Sequence, residues 1–157
     1  MDFRAILAAT MMALGGTAGA MAQETVDGTN VDEVANIARG YGSVTVETAS
    51  NGDPRIDGKI EGVSYYLFFR NCSDSNTDCE DLNFYAGFID NKPTMEAINS
   101  WNRDKRFGKA YLDSDLDAVI EYDVNLEYGV TRKNLDSTFA VWSLILKQYA
   151  DYIGFQR

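Results

Sequence analysis

The stretch RIDGKIEGVSYYLFFR, residues 55–70, decides the fold of this chain. Apolar and polar residues alternate on both sides of its midpoint, where one face of each half carries Ile56, Ile60, Tyr65, Leu67 and Phe69. Alternation with a period of two is typical of a β-strand with one buried face. Glu61 and Gly62 lie between the two halves, and glycine at such a position favours a tight turn. The stretch therefore predicts a β-hairpin and, with it, an antiparallel sheet.

The alternating pattern continues on both sides of this hairpin. It predicts four more strands: one in residues 43–49, one in 81–89, and two in 108–127 that turn near Ser114 and Asp115. Helical periodicity appears three times, in residues 30–42, 90–106 and 134–153. The predicted order is α-β-β-β-β-α-β-β-α. Helices placed before, within and after antiparallel hairpins give an α+β fold, an antiparallel sheet flanked by helices.

Polar residues mark where the helices begin. Asn30 can cap the first helix, and Glu33 three residues later resembles a capping box. Thr94 is a good cap for the middle helix, and Asn134 is predicted to cap the last one. Residues 23–29 are polar and are predicted to be a short flexible lead.

The first residues, MDFRAILAATMMALGGTAGAMAQE, have the pattern of a secretory signal peptide. Residues 5–14 form an apolar core, and Ala20 and Ala22 form a small-x-small cleavage site. The alternative is an uncleaved anchor, but the stretch is short for a membrane span and rich in glycine and alanine. We expect residues 1–22 to be removed and residues 23–157 to form a single domain, periplasmic or secreted. No second apolar run is long enough to span a membrane.

Composition excludes several classes of function. The formal net charge of −10 makes nucleic acid a poor partner, because phosphate backbones repel an acidic protein. The chain has no histidine, which excludes histidine-based triads and histidine metal sites. Asp113, Asp115 and Asp117 begin like a calcium loop, but Ala118 and Val124 stand where the loop requires glycine and glutamate. We expect no metal and no cofactor. Catalysis by a pair of carboxylates, as in a small hydrolase, is the remaining enzymatic alternative.

Cys72 and Cys79 are the two cysteines of the chain and flank a polar loop. Close pairs of cysteines in an exported protein usually form disulfides. A zinc site would need more cysteines or some histidine, and redox-active pairs normally have C-x-x-C spacing. We therefore expect a structural disulfide between them.

A basic stretch, NSWNRDKRFGKAYLD at residues 99–113, stands out in this acidic chain. Met95, Ile98 and Trp101 are spaced as one apolar helix face, so Trp101 is expected in the core. The cations that follow would then lie at a helix end, where they complement the helix dipole, with Asp113, Asp115 and Asp117 neutralising them. The alternative is a site for an anion or an acidic peptide. Its candidate binding residues are Trp101, Asn102, Arg103, Lys105 and Arg106.

The chain resembles the YbjN family of bacterial proteins. The resemblance rests on GDPRIDGKIEGVSYYLFF, NSWNRDKRFGKAYLD and EYDVNLEYGV, followed by the aromatic last helix, and covers most of residues 31–155. The family is similar in fold to the type III secretion chaperones. That similarity implies binding to another polypeptide, often as a homodimer, and brings no catalytic residue. We expect an exported, non-enzymatic, polypeptide-binding or accessory module of the bacterial envelope.

Overall fold

The structure is a computed structural model that describes residues 25–157. The predicted signal peptide, residues 1–22, lies outside the described residues. In chain order the elements are β1 (Thr25–Val26), α1 (Val31–Ala38), β2 (Ser43–Thr48), β3 (Pro54–Ile60), β4 (Val63–Arg70), β5 (Asp81–Phe88), α2 (Met95–Asp104), β6 (Lys109–Leu112), β7 (Ala118–Asn125), β8 (Val130–Thr131) and α3 (Arg132–Tyr152). The α+β prediction is confirmed, and the nine predicted elements occur in the predicted order.

Two short strands were not predicted. β1 pairs antiparallel with β8, and Val26 in β1 is buried. The prediction of a flexible lead over residues 23–29 is therefore wrong for its described part. Two-residue strands carry no periodicity of their own, and the pairing of Thr25 with Thr131 joins segments far apart in sequence.

The other strands form one antiparallel sheet in the order β2-β3-β4-β5-β7-β6. Its centre is the predicted hairpin, in which Ile60 pairs with Val63. Glu61 and Gly62 both have positive φ angles, 46° and 89°, as a two-residue turn of this hand requires. The alternation of apolar residues then gives the sheet one inner, apolar face.

All three helices pack on that inner face. Phe84 of β5 lies with its ring centroid 5.1 Å from Phe139 and 5.3 Å from Trp142, both on α3. α1 is joined to α3 by the stacked rings of Tyr41 and Phe139. α2 packs beside α3, where Trp101 contacts Tyr149 edge-on. The molecule thus has two layers, and the opposite face of the sheet carries no helix among the described residues.

The helix caps agree with the sequence in two cases out of three. The side chain of Asn30 accepts a hydrogen bond from the Glu33 N–H, and that of Thr94 accepts one from the next turn. α3 begins earlier than predicted, because Thr131 is its cap and Asn134 donates its backbone N–H to Thr131. Both Thr and Asn are good caps, so residue type alone could not choose between them.

The middle helix buries two of its three predicted core residues. Ile98 and Trp101 are buried, but Met95 is 56% exposed, so its placement in the core is wrong. The reason is helix geometry: six residues turn the chain through about 600°, which leaves Met95 about 120° away from Trp101 around the helix.

Cys72 and Cys79 are joined by a disulfide, as expected. Cys79 also forms an isolated β-bridge with Gly28, which ties the segment after β1 to the disulfide loop. A Cβ atom at Gly28 would lie 1.8 Å from the Cys79 carbonyl oxygen, so only glycine fits at this close approach. Of the helices that the structure describes, none has the length and apolar character needed to cross a membrane.

Candidate functional site: a groove between α2 and α3

A groove of about 190 Å³ lies where the end of α2 meets the middle of α3. We call it the α2–α3 groove, and it is lined by Trp101, Lys105, Arg106, Phe107, Val141, Leu144, Ile145 and Gln148. Three of the five residues predicted from the basic stretch line it, namely Trp101, Lys105 and Arg106. Asn102 and Arg103 do not.

Trp101 forms part of the groove wall from a buried position. Only 1% of its surface is exposed, and its ring lies 4.9 Å from the ring of Tyr149. The indole N–H of Trp101 has no acceptor among the described residues. Trp142 also has an unpaired indole N–H, but it is a core residue and does not line the groove. A buried donor without a partner is costly, so the Trp101 N–H lowers the stability of the folded state.

Two cations stand at the rim without acidic partners. The ammonium of Lys105 lies 5.5 Å from the centroid of the Trp101 ring and 3.4 Å from the side-chain oxygen of Gln148. The guanidinium of Arg106 lies 5.1 Å from the centroid of Phe107. Neither Lys105 nor Arg106 forms an ion pair within residues 25–157. Both charges therefore remain available to a ligand.

The neighbouring cations are already paired. Arg103 binds its neighbour Asp104, and this hydrogen bond lowers the pKa of the Asp104 carboxyl. Lys109 lies 2.7 Å from Glu121 across the β6–β7 pair, and the hydrogen bond that Lys109 donates to Glu121 raises the pKa of Lys109. Arg103 is thus exposed but neutralised locally, away from the groove lining.

The acidic run does not neutralise the basic stretch, contrary to expectation. Asp113 accepts the backbone N–H groups of Asp115 and Asp117, and so orders the turn between β6 and β7. Asp117 forms an ion pair with Lys92 at 3.4 Å. These short side chains satisfy nearby backbone donors first, which is the usual role of Asp in turns.

Asn102 has a structural task outside the groove. Its side-chain amide donates to the Ala110 carbonyl, and its side-chain oxygen accepts the Ala110 N–H, both at 2.9 Å. Asn102 therefore occupies the backbone groups that Ala110 would otherwise present at the edge of the sheet. Asn102 was among the candidate binding residues predicted from the basic stretch.

The groove's α3 wall was missed by sequence reasoning. Leu144 is 54% exposed and Phe107 is 39% exposed, so the rim is apolar as well as basic. A signal was present: the buried stripe of α3 includes Trp142, Ile145 and Leu146, and Leu144 lies off that stripe. An apolar residue on the polar side of an amphipathic helix marks a surface of interest, although single cases are common.

No group of three or more metal-binding side chains occurs in the part of the chain that the structure describes. Among the described residues, the groove offers an apolar wall and two cations that form no ion pair.

A comparison with protein-family models matches residues 30–155 to one family. The chain belongs to the YbjN family. The family is described as "Putative bacterial sensory transduction regulator". A search of curated proteins finds no match for the chain. Membership of the YbjN family supports a regulatory or accessory role rather than a catalytic one, and the match spans every element from α1 to α3.

Proposed function

We propose that this YbjN-family protein is an exported accessory protein that binds an acidic, amphipathic polypeptide segment in the α2–α3 groove. The observation that carries the proposal is the pair of unpaired cations, Lys105 and Arg106, on an apolar groove of a chain with net charge −10. The negative net charge of the protein repels nucleic acid. The local positive charge of the groove repels basic partners and attracts a short acidic segment.

The apolar wall supplies affinity and the cations supply specificity. Phe107 and Leu144 offer surface that a partner side chain would cover, at about 25 cal/mol per Å² of apolar area. A carboxylate on the same segment would reach Lys105 or Arg106. Groove binding of this kind is a common mode of peptide recognition.

Paired synthetic peptides test the proposal. One is amphipathic with glutamates, and its counterpart has lysines in their place. We expect only the acidic peptide to bind, with affinity that falls as salt rises. Tryptophan fluorescence gives a direct readout, because Trp101 lines the groove.

Two variants locate the binding. Arg106→Glu should abolish it, whereas Lys133→Glu, which makes the same charge change on exposed α3 surface, should leave it intact. Equal binding of both peptides, no binding of either, or equal weakening by the two variants would contradict the proposal.

Export is a separate part of the proposal and has its own test. The apolar core of residues 5–14 and the Ala20-x-Ala22 end support removal of residues 1–22. Mass spectrometry of the native protein should find Gln23 at the amino terminus, in the periplasmic or secreted fraction. An intact Met1 in a cytoplasmic fraction would exclude export without bearing on the groove.

A further inference from the structure

The two edge strands of the six-stranded sheet differ in whether their outer backbone groups have hydrogen-bond partners. At the β6 edge, Asn102 occupies both backbone groups of Ala110, as described above. At the other edge, β2 is hydrogen-bonded to β3 on one side only. On its outer side, no hydrogen bond to the β2 backbone is formed within residues 25–157.

The register fixes which β2 groups point outward. The Ala49 N–H donates to the Asp53 carbonyl at 2.8 Å, one step beyond the β2–β3 ladder. Hydrogen-bonded and non-hydrogen-bonded pairs alternate in an antiparallel ladder, so Thr45 turns its backbone groups toward β3. Val44 and Val46 must then turn theirs outward, where they have no partner.

β2 lacks the usual protections of an exposed edge. It has six residues and no proline or lysine, and its one charged side chain is Glu47. Val46 is 39% exposed beside a second groove of about 350 Å³ between α1 and β2. Exposed edge strands are normally short, carry charged side chains, contain a β-bulge or are covered by another element, because an open edge can pair with a strand of another chain.

We propose that β2 pairs antiparallel with β2 of a second copy of this chain, with Thr45 on the two-fold axis. In this register Val44 lies opposite the partner subunit's Val46, and Val46 opposite the partner subunit's Val44. Both are outward-facing residues, so each pair can exchange two backbone hydrogen bonds. The two valines of each copy would form one apolar patch that covers the exposed Val46.

The polar side chains fit the same register. Glu47 lies opposite the partner subunit's Ser43, and within one chain Ser43 neighbours Lys59 while Glu47 neighbours Arg55. Arg55 is already paired with Asp57. The Glu47 carboxylate is therefore placed toward the partner subunit's Lys59, since Lys59 forms no ion pair within residues 25–157. Cross-strand pairs of opposite charge stabilise a sheet, and Thr45 opposite itself adds a favourable threonine pair. This self-complementarity is why a second copy, rather than an unrelated strand, is the occupant.

Because Asn102 blocks the β6 edge, the assembly is limited to two copies. Each copy offers one open edge, and a two-fold contact uses both open edges at once. The β6 edges remain at the two ends, where Asn102 blocks further pairing. The product is a closed dimer with a continuous sheet instead of a growing fibre. The α2–α3 groove lies on the β6 side, so the pairing and the proposed peptide binding are independent.

Cysteine cross-linking tests the pairing and its register. The native cysteines are bonded to each other, so a new cysteine is the only free thiol. Thr45→Cys should form an intermolecular disulfide under mild oxidation, because directly opposed residues in a non-hydrogen-bonded pair have Cα atoms about 4.5 Å apart. Ser43→Cys is the matched control: it is exposed on the same strand and face, but its two copies would lie about 13 Å apart and should not cross-link.

A proline variant tests the pairing without a cross-linking reaction. Val46→Pro removes an outward N–H that the β2–β3 ladder does not use, so the fold is retained while the dimer is lost. Val46→Thr keeps the N–H and should keep the dimer. Light scattering and sedimentation should report a dimer for the parent at high micromolar concentration and a monomer for Val46→Pro. A monomeric parent, a dimeric Val46→Pro, or equal cross-linking of the two cysteine variants would overturn the proposal.

Discussion

Tyr65 lies on the inner face of β4 with 1% of its surface exposed. Its ring rests on Gly58 of β3, where a Cβ atom would come within 2.3 Å of the ring, so glycine makes room for the tyrosine. The hydroxyl has no hydrogen-bond partner among the described residues. Burial raises the pKa of Tyr65 to about 12, because the phenolate would lose its hydration. The unpaired hydroxyl therefore lowers the stability of the folded state, and lowers it further at alkaline pH.

We predict that Tyr65→Phe protects the protein from alkaline unfolding. The pKa of Tyr65 is 10.0 in the unfolded chain and about 12 in the folded one, so the folded state retains the proton longer. The titration of Tyr65 therefore leaves the free energy of unfolding unchanged below pH 10 and lowers it as pH rises towards 12, by about 2–3 kcal/mol in total.

Urea denaturation at neutral and at alkaline pH measures the effect. Tyr65→Phe should be at least as stable as the parent at neutral pH, since it removes an unpaired hydroxyl. Its stability should then fall less steeply above pH 10. Tyr66→Phe, at the next and exposed position, serves as the control and should behave like the parent. Identical alkaline profiles for the parent and Tyr65→Phe would contradict this account.

At the scale of elements, the edge of β6 depends on one side chain of α2. Asn102 imitates a neighbouring strand by pairing with both backbone groups of Ala110, a residue that is itself buried. The sequence predicted both elements. It could not predict their contact, because the pairing depends on how the end of α2 packs against β6, and no residue pattern encodes that distance.

We predict that Asn102→Ala destabilises the fold by about 1–3 kcal/mol, since it leaves a buried N–H and a buried carbonyl unpaired. It should also open the β6 edge and produce assemblies larger than a dimer. Thermal unfolding and light scattering give the two readouts. Asn99→Ala, an exposed asparagine on the same helix, is the matched control and should change neither. If Asn102→Ala unfolds like the parent and adds no larger species, the edge role of Asn102 is wrong.

At the scale of the whole molecule, the sequence predicted the fold class because long amphipathic elements follow periods of two and 3.6 residues. The α2–α3 groove was half predictable: its α2 side lies in the basic stretch, while Val141, Leu144 and Gln148 reach it through the packing of two helices. The small β1–β8 sheet was missed because it pairs two short segments, Thr25–Val26 and Val130–Thr131, that lie far apart in the sequence.

The disulfide connects segments that are distant in the sequence. Cys79 is held by Cys72 and also bridges Gly28, so the loop it closes carries the segment between β1 and α1. We predict that Cys72→Ser with Cys79→Ser loses about 2.5 kcal/mol of stability, from the loop entropy regained by the unfolded chain. Denaturant midpoints measure the loss, and reducing agent should lower the midpoint of the parent but not of the double variant. An unchanged midpoint after full reduction would contradict the prediction.

Because α3 follows the sheet strands in the chain, its position also determines when the apolar face of the sheet is covered during folding. β2 to β7 all precede α3 in the chain, and neighbouring strands in this sheet are nearly all neighbours in sequence, so they can pair with few long loops to close. Their inner face, with Phe84 at its centre, stays uncovered until Phe139 and Trp142 arrive on the last helix. The β1–β8 pair also needs a late segment of the chain, because β8 comes directly before α3. A chain that lacks α3 would thus expose the part of the inner face that α3 covers, and such exposed apolar surface makes a folding chain prone to aggregation.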